Sequence, residues 1–176
     1  SIDLVRSLQI TVLDQFGNSA RDVLYRCGFE WGLQEMLRLS QRVLDARSGD
    51  KAALWKRDAK FVFESWWQPL AETGWGVATF DFSRLPRSIV VADVQHSIVA
   101  AALDGADQPT CHWYAGFFAG GLSFFERTER HSTEIQCRAL GQPSCKFVIG
   151  PGADVDAAES SRQQGAPADE IIRRLG

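Results

Sequence analysis

Cys111, Glu134, Cys137 and Cys145 are the residues of this chain best suited to do chemistry, spaced C-x22-E-x2-C-x7-C. Thiolates and carboxylates are both zinc ligands, and four of them fill a tetrahedral shell with no position left for water. A closed shell of that kind holds structure and does not catalyse. Cys137 and Cys145 flank Leu140-Gly141-Gln142-Pro143-Ser144, which reads as a tight hairpin that brings the two thiols together, with Glu134 upstream on the same arm. Side chains alternate along a strand, so Glu134 and Cys137 converge only across a bulge or a strand end. His131 or His112 is an alternative fourth ligand. The residues alone leave a second reading open, in which the cysteines are ordinary core thiols and Glu134 a surface carboxylate.

Periodicity supplies the elements that position these groups. Leu4, Leu8, Val12 and Phe16 recur at helical spacing, which predicts a helix from Ile2 to Gln15. Phe16-Gly17-Asn18 breaks it, and a second helix is expected from about Ala20 to about Ala46. Gly28 and Gly32 lie four apart inside that second helix. Each costs it about 1 kcal/mol against alanine, so close approach of another backbone is expected there. Cys27, in the same stretch, is expected to be a buried free thiol. After a Ser48-Gly49-Asp50 loop, Lys51 to Thr73 reads as a third helix on Leu54, Phe61 and Trp66, ended or kinked by Pro69. Gly76 to Phe82 and Ser88 to Ala102 read as strands, although Ile98 to Leu103 fits a helix equally well. His96, amid apolar neighbours, is expected to be a core histidine.

Cys111 to Arg127 reads as a helix apolar nearly all round, so it is buried or lines an apolar cavity. Gly116, Gly120 and Gly121 weaken it and leave space. A cavity is therefore expected beside it, with Trp66, Trp67 and Trp75 as the opposite wall. His131 to Leu140 and Ser144 to Ile149 form the final hairpin. Beyond Pro151 the composition turns to Ala, Asp, Ser, Gln and Gly, which predicts a flexible linker from Gly152 to Pro167 and a short helix from Asp169 to Leu175. The expected organisation is one ligand-binding domain over residues 1–150, then a linker and short terminal helix over 151–176.

A net charge of -3 gives no electrostatic footprint for nucleic acid, so no direct nucleic-acid contact is expected. No apolar run reaches the roughly 20 residues that span a bilayer. Without a secretory pattern, four cysteines argue for free thiols in a reducing cytoplasm. There is no P-loop, Gly-x-Ser-x-Gly elbow or dinucleotide fingerprint, which leans the reading away from an enzyme.

Cys111-x4-Gly116-x3-Gly120, followed by Glu134-x2-Cys137-Arg138-x2-Gly141-x3-Cys145, resembles the 4-vinyl reductase domain family. That domain occurs in bacteriochlorophyll-pathway proteins and as the sensory half of aromatic-responsive sigma-54-dependent activators. The stretch from Ala20 to Gly32, with its glycine pair, is similar to the helix that precedes the domain in those sensors. The resemblance spans roughly Phe16 to Gly150. It implies a mixed α/β (α+β) fold, an antiparallel sheet flanked by helices, related to nitric-oxide sensors and transport-particle subunits. It also implies a homodimer, and a structural Zn2+ on Cys111, Glu134, Cys137 and Cys145. The implied ligand pocket is apolar and lies beside the helix that begins at Cys111, lined by Ala115, Phe118, Gly121, Leu122 and Phe125 with Trp75 across from them. Those sensors carry bulky tyrosines on this helix. Ala115 and Gly121 are small, which implies room for a larger hydrophobe or a tetrapyrrole. The expected function is a zinc-stabilised module that captures a hydrophobic, aromatic or tetrapyrrole-like ligand as a sensor. The alternatives are a tetrapyrrole carrier in pigment biosynthesis and a vinyl reductase, although hydride transfer needs a nicotinamide or flavin site that no motif here supplies.

Overall fold

Four segments pair into one antiparallel sheet among the described residues: β1 (Val77–Asp81), β2 (Val90–Gln95), β3 (His131–Gln136) and β4 (Cys145–Gly150), in the order β1-β2-β4-β3. The computed structural model describes residues 1–45 and 57–176. Strand side chains alternate between faces, and the two faces serve different cores. Val90, Ala92, Val94, Cys145, Phe147 and Ile149 enter the larger one. Ile89, Ile135 and Val148 enter a smaller one on the opposite face.

The larger core is closed by α5 (His112–Glu126) and α3 (Ala59–Glu72). Nearly every residue of α5 is buried, because α2 (Ala20–Asp45) lies along its other side. The contact is backbone on backbone. A methyl group on Gly28 or Gly32 would overlap the carbonyl oxygens of Trp113 and Phe117, and one on Gly116 or Gly120 those of Tyr25 and Phe29. The close approach expected at the first glycine pair is met by a matching pair on α5. Cys27 is exposed rather than buried, since Leu24 and Gly28 are the neighbours that face inward.

Tyr25 ties α2 to the sheet edge by accepting a hydrogen bond from Ser132 N–H at 3.2 Å. Burial pushes its pKa up to about 12. Tyr25→Phe removes that acceptor and is expected to cost about 1–3 kcal/mol in urea denaturation at neutral pH. The folded pKa lies above the unfolded value of about 10. Stability from the neutral phenol is therefore complete below pH 10 and fades as pH climbs toward 12. A Phe variant with unchanged neutral stability, and the same alkaline loss as the parent, would contradict this.

Several elements depart from the sequence expectation. α1 (Ile2–Phe16) is as expected, and a single 3-10 turn, Gly17–Ser19, joins it to α2. α3 begins at Ala59, where Asp58 caps it by accepting from Phe61 N–H at 2.9 Å. The Ser48-Gly49-Asp50 loop and Leu54 lie outside the described residues. Pro69 sits inside α3 without ending it, one turn before the last helical residue, Glu72. The run from Ser88 to Ala102 divides: β2 stops at Gln95, and Ser97 caps α4 (Ile98–Ala102) through Ala100 N–H at 3.0 Å. His96 takes the left-handed turn between them, with φ 54, and is exposed rather than a core histidine.

The stretch expected as a linker from Gly152 is instead α6 (Gly152–Gln163), followed by α7 (Ala168–Arg174). Val155, Ala158 and Ile171 are buried on the second face of the sheet. Arg87 fastens this layer from outside, reaching Asp154 at 3.3 Å and donating to the Leu175 carbonyl. The polar composition hid a narrow apolar stripe three residues apart. No helix among the described residues is long and apolar enough to cross a membrane.

Candidate functional site

Cys111 is the N-cap of α5, immediately before its first turn. Glu134 reaches it from β3, its Oε2 accepting from Cys111 N–H at 3.0 Å, which sets a carboxylate at the positive end of a helix. The β3–β4 register shifts between Glu134 and Gln136, and Cys137 follows in extended conformation just past the strand end. That irregularity is what lets residues three apart meet. The link to β4 is longer than the tight hairpin expected: a 3-10 turn, Arg138–Leu140, leads to Gly141 at φ 79 and returns to Cys145.

One ligand atom from each of Cys111, Glu134, Cys137 and Cys145 lies within 4.8 Å of the others, and all four residues are buried. Cys111 Sγ and Cys145 Sγ are 3.6 Å apart. Arg138 N–H donates to Cys145 Sγ at 3.3 Å, and Thr110 Oγ1 lies 3.7 Å from Cys137 Sγ. Burial pushes the Cys111 thiol and the Glu134 carboxyl up, away from their charged forms. Hydrogen bonds from the Cys111 and Cys145 thiols hold Cys137 well below the usual thiol range. Glu134 Oε1 is buried with no hydrogen-bond partner among the described residues. Desolvated sulfurs crowding an orphaned carboxylate oxygen suit a cation, which would let all four ionise together. The residues therefore fit a metal ion that fastens α5, β3 and β4 at one point.

Neither histidine belongs to this cluster. His112 lines a neighbouring cavity and is held below the usual histidine range by burial. His131 opens β3 at an exposed position beside Gly152.

The residues expected to line a ligand pocket are divided between two places. Ala115 borders a cavity of about 210 Å³ shared with Tyr25, His112, Ser132 and Glu134. The others lie in close packing. Phe118 stacks on Trp67 at 5.4 Å, Phe125 meets Phe63 edge-on at 5.7 Å, and Leu122 is fully buried. Trp75 meets Trp31 at 5.1 Å and Trp113 at 5.6 Å. The space inferred from the glycines of α5 is taken. α2 backbone fills it at Gly116 and Gly120, and the Trp66 ring fills it at Gly121. Trp66 lies flat on Phe117 at 4.3 Å, and its indole Nε1 is buried with no acceptor among the described residues. Sequence reasoning placed the two neighbouring tryptophans opposite α5, where they are. It missed Tyr25, Ser132 and Thr110, for which composition and spacing carry no signal.

Residues 90–151, which contain the whole cluster, match the 4-vinyl reductase domain. No curated protein matches the chain. Among solved structures, the chain is similar to the phenol-responsive sensory domain of the transcription activator PoxR, crystallised with phenol. The identity is 18% and the TM-score 0.68, over 95% of this chain and 82% of that one. It is also similar to a trafficking protein particle complex subunit 3 from Naegleria fowleri covalently bound to palmitic acid, at 14% identity and TM-score 0.54 over 85% of this chain and 96% of that one. At such identities the likeness is one of fold, and it agrees with the mixed α+β architecture read from the sequence. The segment that matches the 4-vinyl reductase domain is thus the one whose cysteines and glutamate gather at the root of a buried helix.

Proposed function

We propose that this chain is a zinc-stabilised sensory module that captures a small aromatic or tetrapyrrole-like molecule against α5. Three thiolates and one carboxylate are the donor set of a structural zinc site, and with every position filled the ion holds the scaffold and leaves chemistry to others. The observation that carries the ligand reading is the Trp66 indole N–H. Among the described residues it is a buried donor without an acceptor, in a nest of Phe63, Phe117 and Phe118. An unmet buried donor costs about 1–3 kcal/mol, which an oxygen on an aromatic ligand would recover. The fold likeness to a sensory domain that binds phenol supports the same class of ligand. Entry requires the Trp66 ring to leave Gly121. Binding therefore selects a conformation in which α3 has moved relative to α5, and that difference is what an output partner would read. The module acts as a homodimer in a reducing compartment, where its thiols stay free to hold metal, and it touches no nucleic acid itself.

The test is calorimetric titration of the zinc-loaded protein with phenols and with a porphyrin. At least one class is expected to bind. Trp66→Phe keeps the stacking and removes the donor, so it is expected to weaken that ligand about tenfold, the equivalent of one neutral hydrogen bond. Absence of binding by both classes would refute the reading, and unchanged affinity in the variant would move the ligand away from Trp66.

A further inference from the structure

Neither the metal cluster nor the Trp66 nest accounts for the cavity of about 210 Å³ between α2, β3 and the start of α5. Ser132 and Glu134 form its deep wall. They lie two apart on β3, so both side chains point to one face, and they are only 7% and 4% exposed. Ser132 Oγ and Glu134 Oε1 are buried there with no hydrogen-bond partner among the described residues. Buried polar atoms are almost always met by a partner. Two unmet atoms on one wall point to an occupant that meets both.

The opposite wall belongs to α2. Tyr25 accepts from Ser132 N–H with its phenol oxygen, which leaves its own O–H free to donate. Arg21 stands one turn earlier on the same side of the helix and borders the same cavity. Arg21 and Asp22 are exposed at the rim, with no ion-pair partner among the described residues. Glu159 and Arg162, also at the rim, are paired with each other at 2.5 Å. The cavity is therefore polarised, with acceptors on β3 and donors on α2. A carboxylate offers about four acceptor positions, so Glu134 can hold a metal ion and still accept on this side. Three thiolates and a carboxylate also outnumber the charge of a divalent ion. On the zinc reading above, the deep wall thus stays negative and suits a cationic donor, while Arg21 suits an anion. At about 30 Å³ per water the space equals roughly seven waters, enough for an amino acid with a short side chain and too little for a peptide.

We propose that this cavity binds a free α-amino acid with a short side chain. Its ammonium donates to Glu134 Oε1 and Ser132 Oγ. Its carboxylate accepts from the Tyr25 hydroxyl and faces Arg21, and its side chain rests on the Ala115 methyl group. A phenol brings no positive charge to the β3 wall and a porphyrin is too large, so this site is separate from the one at Trp66.

Calorimetric titration of the full chain with glycine, alanine and serine tests it, with zinc content measured on the same samples. At least one of the three is expected to saturate with a Kd below about 1 mM. Acetate and methylamine each carry half of the recognised group and are expected to bind at least about tenfold more weakly. Ser132→Ala and Arg21→Gln are each expected to weaken the amino acid about tenfold, the loss of one hydrogen bond or ion pair. Arg21 is exposed, so its variant stays folded by circular dichroism even if the buried one does not. Trp66→Phe is expected to leave this affinity at the parent value. Failure of all three amino acids to saturate would overturn the proposal and leave the cavity to water. Equal binding of acetate or methylamine, or an affinity that ignores Arg21→Gln, would overturn it as well. A chain that binds the amino acid without zinc would refute the metal reading and leave this one standing.

Discussion

With zinc on the proposed ligand set, Cys137→Ser is expected to abolish metal binding and to lower the melting temperature by roughly 10 °C or more, on the order of 3–5 kcal/mol for a domain of this size. The size of the effect follows from what such an ion would join. Cys137 sits just past the end of β3, Cys145 opens β4, and Cys111 caps α5. Burial desolvates the Cys111 sulfur and the Glu134 carboxylate, and Glu134 Oε1 has no hydrogen-bond partner among the described residues. Serine is nearly isosteric but a poor zinc ligand, so it leaves a three-donor site open to water, with two buried thiols and a buried carboxyl returned to their neutral forms. Elemental analysis should fall from about one zinc per chain to a small fraction of that, with the melting temperature following. Cys27→Ser is the matched control. That thiol is exposed and remote from the cluster in sequence, so metal content and stability should both stay at the parent values. Full zinc retention in Cys137→Ser would exclude Cys137 from the ligand set.

Gly116→Ala is expected to destabilise the protein by about 3 kcal/mol or more, beyond the usual range for an overpacked site. Helix propensity pulls the other way, since alanine gains about 1 kcal/mol over glycine in a helix interior. Sterics win because the obstacles are the Tyr25 carbonyl and the Phe29 amide of α2. Neither is the end of a side chain that can turn aside. The helices must separate, and the three other glycines of the contact lose their fit with them. Urea denaturation followed by circular dichroism reads the loss directly. A variant as stable as the parent would mean that the two helices do not touch backbone to backbone.

These two sites also mark how far the sequence could be read. The gathering of Cys111, Glu134, Cys137 and Cys145 was legible because their spacing is specific, and because a strand's alternation required an irregularity between Glu134 and Cys137, which the register shift supplies. The Gly28 and Gly32 pair was legible as a close approach because glycine is costly inside a helix. The same logic misled at Gly116, Gly120 and Gly121. A missing side chain signals room, and it does not say whether a ligand, a backbone or the ring of Trp66 will occupy it. α6 was hidden because Val155 and Ala158 are the whole of its buried stripe. His96 was misplaced because a run of valine and isoleucine gives no sign of the left-handed residue that divides it. Leu4, Leu8 and Phe16 of α1 were read as a helical repeat yet stand exposed, because periodicity reports that a helix is amphipathic and not whether its own fold covers the apolar side.

The order β1-β2-β4-β3 places the strand made last between two made earlier. During synthesis β3 has no neighbour to pair with until Cys145 to Gly150 have left the ribosome, and Cys145 is also the last of the four clustered groups to emerge. A nascent chain halted before that point would carry a half-built sheet, an uncovered oily helix and thiols with nothing to grip. Zinc loading would thus be the closing act of biogenesis, and a truncation that spares residues 1–140 would leave a polypeptide fit only for a chaperone or a protease.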